Sequence, residues 1–295
     1  MRVTQAMMFN DALLNEANVS SRLAQLTQQA SSGLAVSQPS DDPAAYASIQ
    51  QQDAEIGVVQ ARSQAASLAA GNMNLAESTL DAASNLLVQA KSIAIEASNG
   101  TQDASSRADS ASQVSSIFQQ LLALANTKGT SGYLFGGTAS ETPPFDPTGA
   151  FQGNSGVTQV AIADGVLATS SASGADAFTA AGGTDVFATV QALQTALTNN
   201  DVAGIQTAMT ALDSANTQLI GARVDAGTDA GRLSSAATAM TTALAQMQTN
   251  LAGVADADAP TTLSNLQATQ TAYEAAIEVN KQVLSTAAAG FTGGG

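Results

Sequence analysis

The sequence predicts a mainly α-helical chain. Its N- and C-terminal segments form a long antiparallel helical bundle or coiled coil, with a small β-rich domain inserted between them. Three observations predict this. Apolar residues recur every three to four positions over most of the chain. Both ends carry narrow stripes of that spacing, which suit one or two helical partners better than a broad core. Between residues 129 and 185 the composition shifts to Gly, Pro, Ser and Thr, and VTQVAIA (157–163) alternates as a strand does.

Residues 3–32 read as the first helix, with Met8, Ala12, Val19, Leu23, Leu26 and Ala30 on one side. Ser31-Ser32-Gly33 stops it, because glycine takes the left-handed C′ conformation at little cost. Residues 34–41 contain Pro39 and no apolar period, so they form an extended linker. A second helix starts at Pro43 and runs toward Ser98, with soft interruptions expected near Gly57 and Gly71. A third covers about 103–128, with Val114, Ile117, Leu121 and Leu124 on one side. Helix resumes near Val186 and again over about 202–253. In the last segment Leu263, Leu266, Gln270, Tyr273, Ile277, Asn280 and Leu284 form a heptad seam with two polar members. A tail, 287–295, follows. The expected domains are terminal segments 1–40 and 260–295, a helical bundle of 41–128 and 186–259, and an outer β-rich domain of 129–185.

Composition excludes several function classes. Of the 295 residues 44% are hydrophobic, much of that alanine, and only 4% are aromatic, so an extended helical molecule is favoured over a thick core. The formal charge is −15, and nine basic residues lie scattered, which argues against nucleic acid and against an anionic membrane surface. Cysteine and histidine are both absent, removing thiol chemistry, the usual zinc ligands and the commonest general base. The early segment is interrupted by Asn10, Asp11, Asn15 and Glu16, and no run approaches the roughly 18 apolar residues of a spanning helix. The expectation is a soluble, non-enzymatic protein without cofactor or metal, and any export proceeds without a cleaved signal.

Asp41-Asp42-Pro43 is the first candidate site. Proline at N1 loses no hydrogen bond, and Asp42 then falls at the N-cap, where it accepts from Ala44 or Ala45. Asp41 adds favourable charge near the positive helix end. With Gly33, these residues make a helix joint; a paired-carboxylate metal or acid–base site is the weaker reading, since no third ligand stands nearby. Asp256 and Asp258 resemble the start of a calcium loop, but Pro260 occupies the third acidic position, so a helix start capped by Asp258 or Thr261 is favoured. GTSGYLFGGT (129–138) lacks the Gly-Lys-Ser/Thr ending of a phosphate loop and reads as turn and strand, with Tyr133 and Phe135 inside. Lys91, Lys128 and Lys281 stand apart, none in a Ser-x-x-Lys pair. A carboxylate hydrolase in the insert would need paired acids, but Glu141, Asp146, Asp164, Asp176 and Asp185 are dispersed.

The terminal stripes are the second candidate. Packing within one copy is the simpler reading; assembly between copies is favoured because both ends are stripes with a different kind of sequence between them. The assembly residues are Val19, Leu23, Leu26, Leu263, Leu266, Tyr273, Ile277 and Leu284. Each buried Leu or Ile contributes about 1.5–3 kcal/mol as an upper figure. Gln270 and Asn280 would cost stability but fix register. The ends are expected to be loose alone and to order when subunits stack.

These residues carry a resemblance. MRVTQAMMFNDALL, LAQLTQQASSGLAVSQPSDDPAAY (23–46), GYLFGGTASETPPF (132–145) and DADAPTTLSNLQATQTAYEAAIEVNKQVLS (256–285) resemble the flagellin-related hook-associated proteins of the bacterial flagellum. Within them the likeness is to the junction protein on the filament side; the alternative is a short flagellin, the filament subunit itself. Pro43 replaces the first alanine of the flagellin Asp-Asp-Ala-Ala-Gly pattern. The resemblance implies a structural, extracellular flagellar component exported unfolded through the flagellar type III channel. Its implied partners are a homo-oligomer ring, the hook-side junction protein, flagellin, and a flagellar export chaperone with the export apparatus. It implies that the terminal helices line a tube around the channel and that the middle faces outward. Members tend to end in a Leu-rich stretch, whereas this chain ends Ala-Ala-Ala-Gly-Phe-Thr-Gly-Gly-Gly.

Overall fold

Seven α-helices, a short 3-10 turn (Ala180–Gly182) and two small ribbons account for the fold in a computed structural model, which describes residues 2–292 in backbone and 7–285 in side chain. In chain order they are α1 (Arg2–Ser32), α2 (Pro43–Ala97), α3 (Ala104–Ala125), β1 (Lys128–Gly129), β2 (Gly132–Tyr133), β3 (Gln159–Ala163), β4 (Val166–Thr169), α4 (Gly174–Phe178), α5 (Val186–Thr198), α6 (Val202–Ala255) and α7 (Ala259–Thr292). The expected mainly α class with a small β insert is what the chain adopts. It divides into two compact units, 1–57 with 244–295, and 58–243. The first is described with the candidate site.

In the second unit, α2 and α6 run antiparallel. Their facing rows are mostly Ala and Leu: Ala76, Leu80, Ala83, Leu87, Ala90 and Ala94 on α2, and Ala208, Leu212, Ala215, Leu219, Ala226 and Leu233 on α6, all buried. Polar pairs index the two helices along their length. Ser84 donates to Asn216 at 2.6 Å, Lys91 pairs with Asp213, and Arg223 pairs with Asp81 and, at 3.6 Å, with Glu77. The interruptions expected near Gly57 and Gly71 do not occur. Both glycines lie at exposed helical positions with nothing near a would-be Cβ, so only the propensity cost of about 1 kcal/mol each is felt.

Side-chain caps set the shorter helices. Asp103 accepts from Ser106 N–H at 2.8 Å to start α3, and Asp185 accepts from Ala188 N–H at 2.8 Å to start α5. Helix α3 ends at Ala125, three residues before the expected end; Asn126 then turns its amide into the insert, donating to Phe145 O and accepting from Phe145 N–H.

The insert holds only two antiparallel ribbons, β1–β2 and β3–β4. Its order comes from aromatics instead. Phe135 and Phe178 meet edge to face at 5.3 Å, Phe145 touches Phe178 (5.5 Å) and Phe187 of α5 (5.1 Å), and Phe187 meets Phe118 of α3 at 5.6 Å. Such pairs add about 0.5–1.5 kcal/mol each beyond burial. Phe135 is buried as expected, while Tyr133 is half-buried with Lys128 Nζ 4.7 Å over its ring. Close packing demands glycine at 174, where a Cβ would come 2.1 Å from Phe135 O.

A buried cation ties three segments of this unit. The Arg107 side chain, 5% exposed, donates from Nε to Ala97 O at 2.8 Å, from Nη2 to Asn99 O at 3.1 Å, and from Nη1 to Asn200 Oδ1. It thereby satisfies the Ala97 carbonyl left open at the end of α2, while Asn99 O also accepts from Gln102 N–H at 3.1 Å. Asn200, at φ +56°, makes the left-handed turn between α5 and α6.

Candidate functional site: the paired ends and their joint

The joint lies in the first unit. Gly33 stops α1 at φ +74°, where a side chain would be strained, and its N–H donates to Gln29 O at 2.9 Å. The linker then pairs with the corner between α6 and α7. Ala35 N–H donates to Ala255 O at 2.7 Å and Ala257 N–H donates to Gly33 O at 2.8 Å, making an antiparallel bridge between Leu34 and Asp256. Gln29 Nε2 donates to Ala35 O at 2.9 Å and braces it from α1.

Asp42 Oδ1 accepts from the N–H groups of Ala44 (2.9 Å) and Ala45 (3.0 Å), the cap geometry that α2 needs, with Pro43 as its first residue. Asp41 does more than supply charge. Its Oδ2 accepts from Ser37 N–H (3.0 Å), the Ser37 hydroxyl (3.1 Å) and Gln38 N–H (3.1 Å), closing the turn before the helix. These bonds, the Ser37 N–H foremost, hold the Asp41 carboxyl below the ordinary aspartate value. Sequence reasoning missed this role; Ser37 four residues before an aspartate was the available signal. At the other corner Asp258 caps α7. Its backbone carbonyl accepts from Thr262 N–H at 2.8 Å, and its carboxylate accepts from the Thr261 hydroxyl. Helix α7 continues through Ala287 to Thr292, where a tail was expected; residues 293–295 lie outside the described residues.

Helices α1 and α7 pack antiparallel. A single chain thus already pairs the ends that were expected to be loose. Of the eight stripe residues, Leu26 is buried and Val19, Leu23, Leu266, Tyr273 and Ile277 are half-buried, whereas Leu263 and Leu284 are exposed (53% and 52%). Asn280 is buried as the seam requires, Thr262 and Thr269 are buried although they were not expected in it, and Gln270, expected in it, faces out. Asn280 donates its side-chain amide to Glu16 Oε2, a polar contact in the seam that sequence spacing on α7 alone did not pair. The seam therefore contains polar members among its apolar ones, which weakens it and fixes its register. Around α1, Met7, Met8, Leu13 and Leu14 are exposed, as are Val279 and Leu284 on α7.

Three acids of the insert make structural contacts. Asp146 accepts from Thr148 and Ala150 in its own turn, Asp164 pairs with Arg62, and Asp185 caps α5. Asp176 lines a cleft of about 610 Å³ with Asp225 and Asp229, where burial pushes the Asp229 carboxyl above its ordinary value. Among the described residues no group of three His, Cys, Asp or Glu side chains could hold a metal ion, and no helix is long and apolar enough to cross a membrane.

In sequence the chain is similar to bacterial flagellar proteins. Residues 3–140 match the bacterial flagellin N-terminal helical region. Within that class the resemblance is to flagellar hook-associated protein 3. The Salmonella typhimurium protein of that name is 29% identical over 166 residues, 54% of this chain; the match spans about half (51%) of that curated relative. Solved structures share the fold. A flagellar hook-associated protein of Vibrio parahaemolyticus aligns with a TM-score of 0.67 and 20% identity, over 73% of this chain and 100% of that one. Hook-associated protein-3 of Legionella pneumophila aligns at 0.58 and 18%, over 70% and 98%. FlgL of Xanthomonas campestris aligns at 0.57 and 16%, over 65% and 99%.

Proposed function

We propose that this chain is a non-enzymatic structural adaptor of the bacterial flagellum. It joins the hook, through the hook-side junction protein, to the flagellin filament by stacking its terminal helices with those of other copies. Residues 1–40 and 260–295 are the segments that enter the shared tube, 41–128 and 186–259 the surrounding helical domain, and 129–185 the outer domain. Gly33, Asp41, Asp42 and Pro43 form the joint through which the first terminal segment passes into α2. The chain acts outside the cell, delivered by a flagellar chaperone and export apparatus.

The observation that carries this reading is the partly polar α1–α7 pair, which leaves Leu263, Leu284, Met7, Met8, Leu13 and Leu14 exposed on helices that are narrow and nearly uncharged on most faces. Exposed apolar residues on a helical pair suit burial against further helices. The likeness to hook-associated protein 3 agrees with it. Deleting the gene should leave cells with hooks but no filaments and should release flagellin into the medium; normal filaments in the deletion strain would reject the proposal. The match of residues 3–140 to the flagellin region favours a second reading, a short flagellin. Sheared filaments composed of this chain alone would select it.

A further inference from the structure

Asn99-Gly100 is the one Asn-Gly pair in the chain, and it lies exposed in the turn between α2 and α3. Asparagine is chemically labile where the next backbone nitrogen can reach its side-chain amide carbon. Here both reacting groups are available. The Asn99 side chain makes no hydrogen bond, and neither does the Gly100 N–H. Nothing lies within 4 Å of a would-be Cβ on Gly100, so water reaches the turn from that side. The other loop asparagines are held. Asn126 spends its amide on Phe145, and Asn154 spends its own on Thr138 and Gly156. After Asn199 and Asn200 the next N–H is engaged, with Leu197 O at 3.1 Å and Ala196 O at 2.9 Å. The remaining asparagines lie within helices.

A second observation concerns the same peptide group. Its oxygen, Asn99 O, accepts from Gln102 N–H at 3.1 Å and from Arg107 Nη2 at 3.1 Å. When the Gly100 nitrogen gives up its proton, the negative charge spreads onto that oxygen. Two donors already point at it, one of them on a guanidinium only 5% exposed. This is the logic of an oxyanion hole applied to the attacking amide. Arg107 also lacks an ionic partner. Its Nε and Nη1 reach only neutral acceptors, Ala97 O and Asn200 Oδ1, and among the described residues no carboxylate forms an ion pair with it. Asp103, one turn before it, gives its carboxylate to the Ser106 N–H. A buried cation without a counter-ion gains from any anion formed against it.

We propose that Asn99 is a self-modifying site: the folded chain deamidates there, and Arg107 assists the reaction. Hydroxide removes the Gly100 N–H proton. The nitrogen attacks Asn99 Cγ, a C–N bond forms, the Cγ–Nδ2 bond breaks, and ammonia leaves with a proton from water. The resulting five-membered imide takes up one water. Opening at Cγ leaves aspartate at position 99. Opening at the backbone carbonyl carbon leaves isoaspartate, with the main chain rerouted through Cγ. In that second product the former Asn99 carbonyl becomes a free carboxylate, and one of its oxygens is the atom Arg107 already holds. The cation thereby acquires the charged partner it lacked, through a charge-assisted bond stronger than the neutral one it replaces. The proposal is independent of the adaptor reading.

The test uses the full chain, incubated at mildly alkaline pH both folded and in denaturant. Trypsin cuts after Lys91 and Arg107 and releases residues 92–107, in which Asn99 is the only asparagine. Mass spectrometry follows the gain of one mass unit on that peptide, and chromatography separates its isoaspartate and aspartate forms. The folded chain should convert about tenfold faster than the denatured one, the margin between a charge-assisted and a neutral hydrogen bond. Isoaspartate should be a larger share of its product. Asn99→Gln should abolish the gain. Arg107→Met, checked as folded by circular dichroism, should lose the excess rate, and Arg107→Lys, which keeps the charge without the fork, should fall between. A folded chain no faster than the denatured one would overturn the proposal, as would a mass gain that persists in Asn99→Gln. If the methionine variant does not fold, a parental rate in Arg107→Lys overturns the part given to the guanidinium, and a slower one supports it.

Discussion

Replacing Arg107 by methionine keeps most of the side-chain volume and removes its three donors. Of the acceptors left behind, Ala97 O belongs to a residue 1% exposed, whereas Asn99 and Asn200 are exposed and regain water. An unpaired buried carbonyl costs about 1–3 kcal/mol, and each lost bond to a charged donor up to a similar amount where water does not compensate. The guanidinium's own desolvation cost is recovered, which sets the net near 2–4 kcal/mol. For a unit of this size a loss of 1 kcal/mol lowers Tm by about 2–4 °C, so Arg107→Met should lower the melting of the 58–243 unit by about 5–15 °C. Circular dichroism melts of the full chain would show it, and Arg107→Lys, which keeps the charge but loses the fork of donors, should fall between. A methionine variant melting within about 1 °C of the parent would refute the assignment of the knot as a stabilising element.

Asp41 makes the joint acid-sensitive. Its folded value is lowered, so its contribution is present above the unfolded value of 3.8 and is lost as pH falls through the folded one. Amide exchange at Ser37 and Gln38, corrected for intrinsic rates, should accelerate in that acid range, and in Asp41→Asn should be faster already at neutral pH. Asp229 has the opposite sign. Burial raises its value, so its ionised form costs stability above that value; Asp229→Asn should raise Tm at pH 7 and leave it unchanged at pH 3. In the α1–α7 seam, Glu16→Leu with Asn280→Leu should increase amide protection of both helices, while Glu16→Leu alone, which strands the Asn280 amide, should decrease it.

Much of the fold was legible because its signals are local. The Gly33 stop, the Asp42 cap with Pro43, and the 3–4 spacing of Leu80, Ala83 and Leu87 depend on neighbours within a turn or two. Partner choice did not show. The α7 seam was right at Leu266, Tyr273, Ile277 and Asn280, but Leu263, Gln270 and Leu284 are exposed while Thr262 and Thr269, which apolar spacing does not select, are buried in their place. Arg107 carried no signal at all; it sits in a serine-rich helix, and its acceptors are backbone carbonyls and one distant asparagine. The phenylalanines of the insert announced a core, but that Phe145 and Phe178 pack on Phe187 of α5 is visible only in three dimensions.

The bridge between Leu34 and Asp256 joins points separated by most of the polypeptide. Closing so large a loop is entropically costly until the intervening chain has condensed. Ordering of the extremities then follows condensation of the interior, and a molecule folding after its delivery passes through a stage with a finished body and unfinished ends.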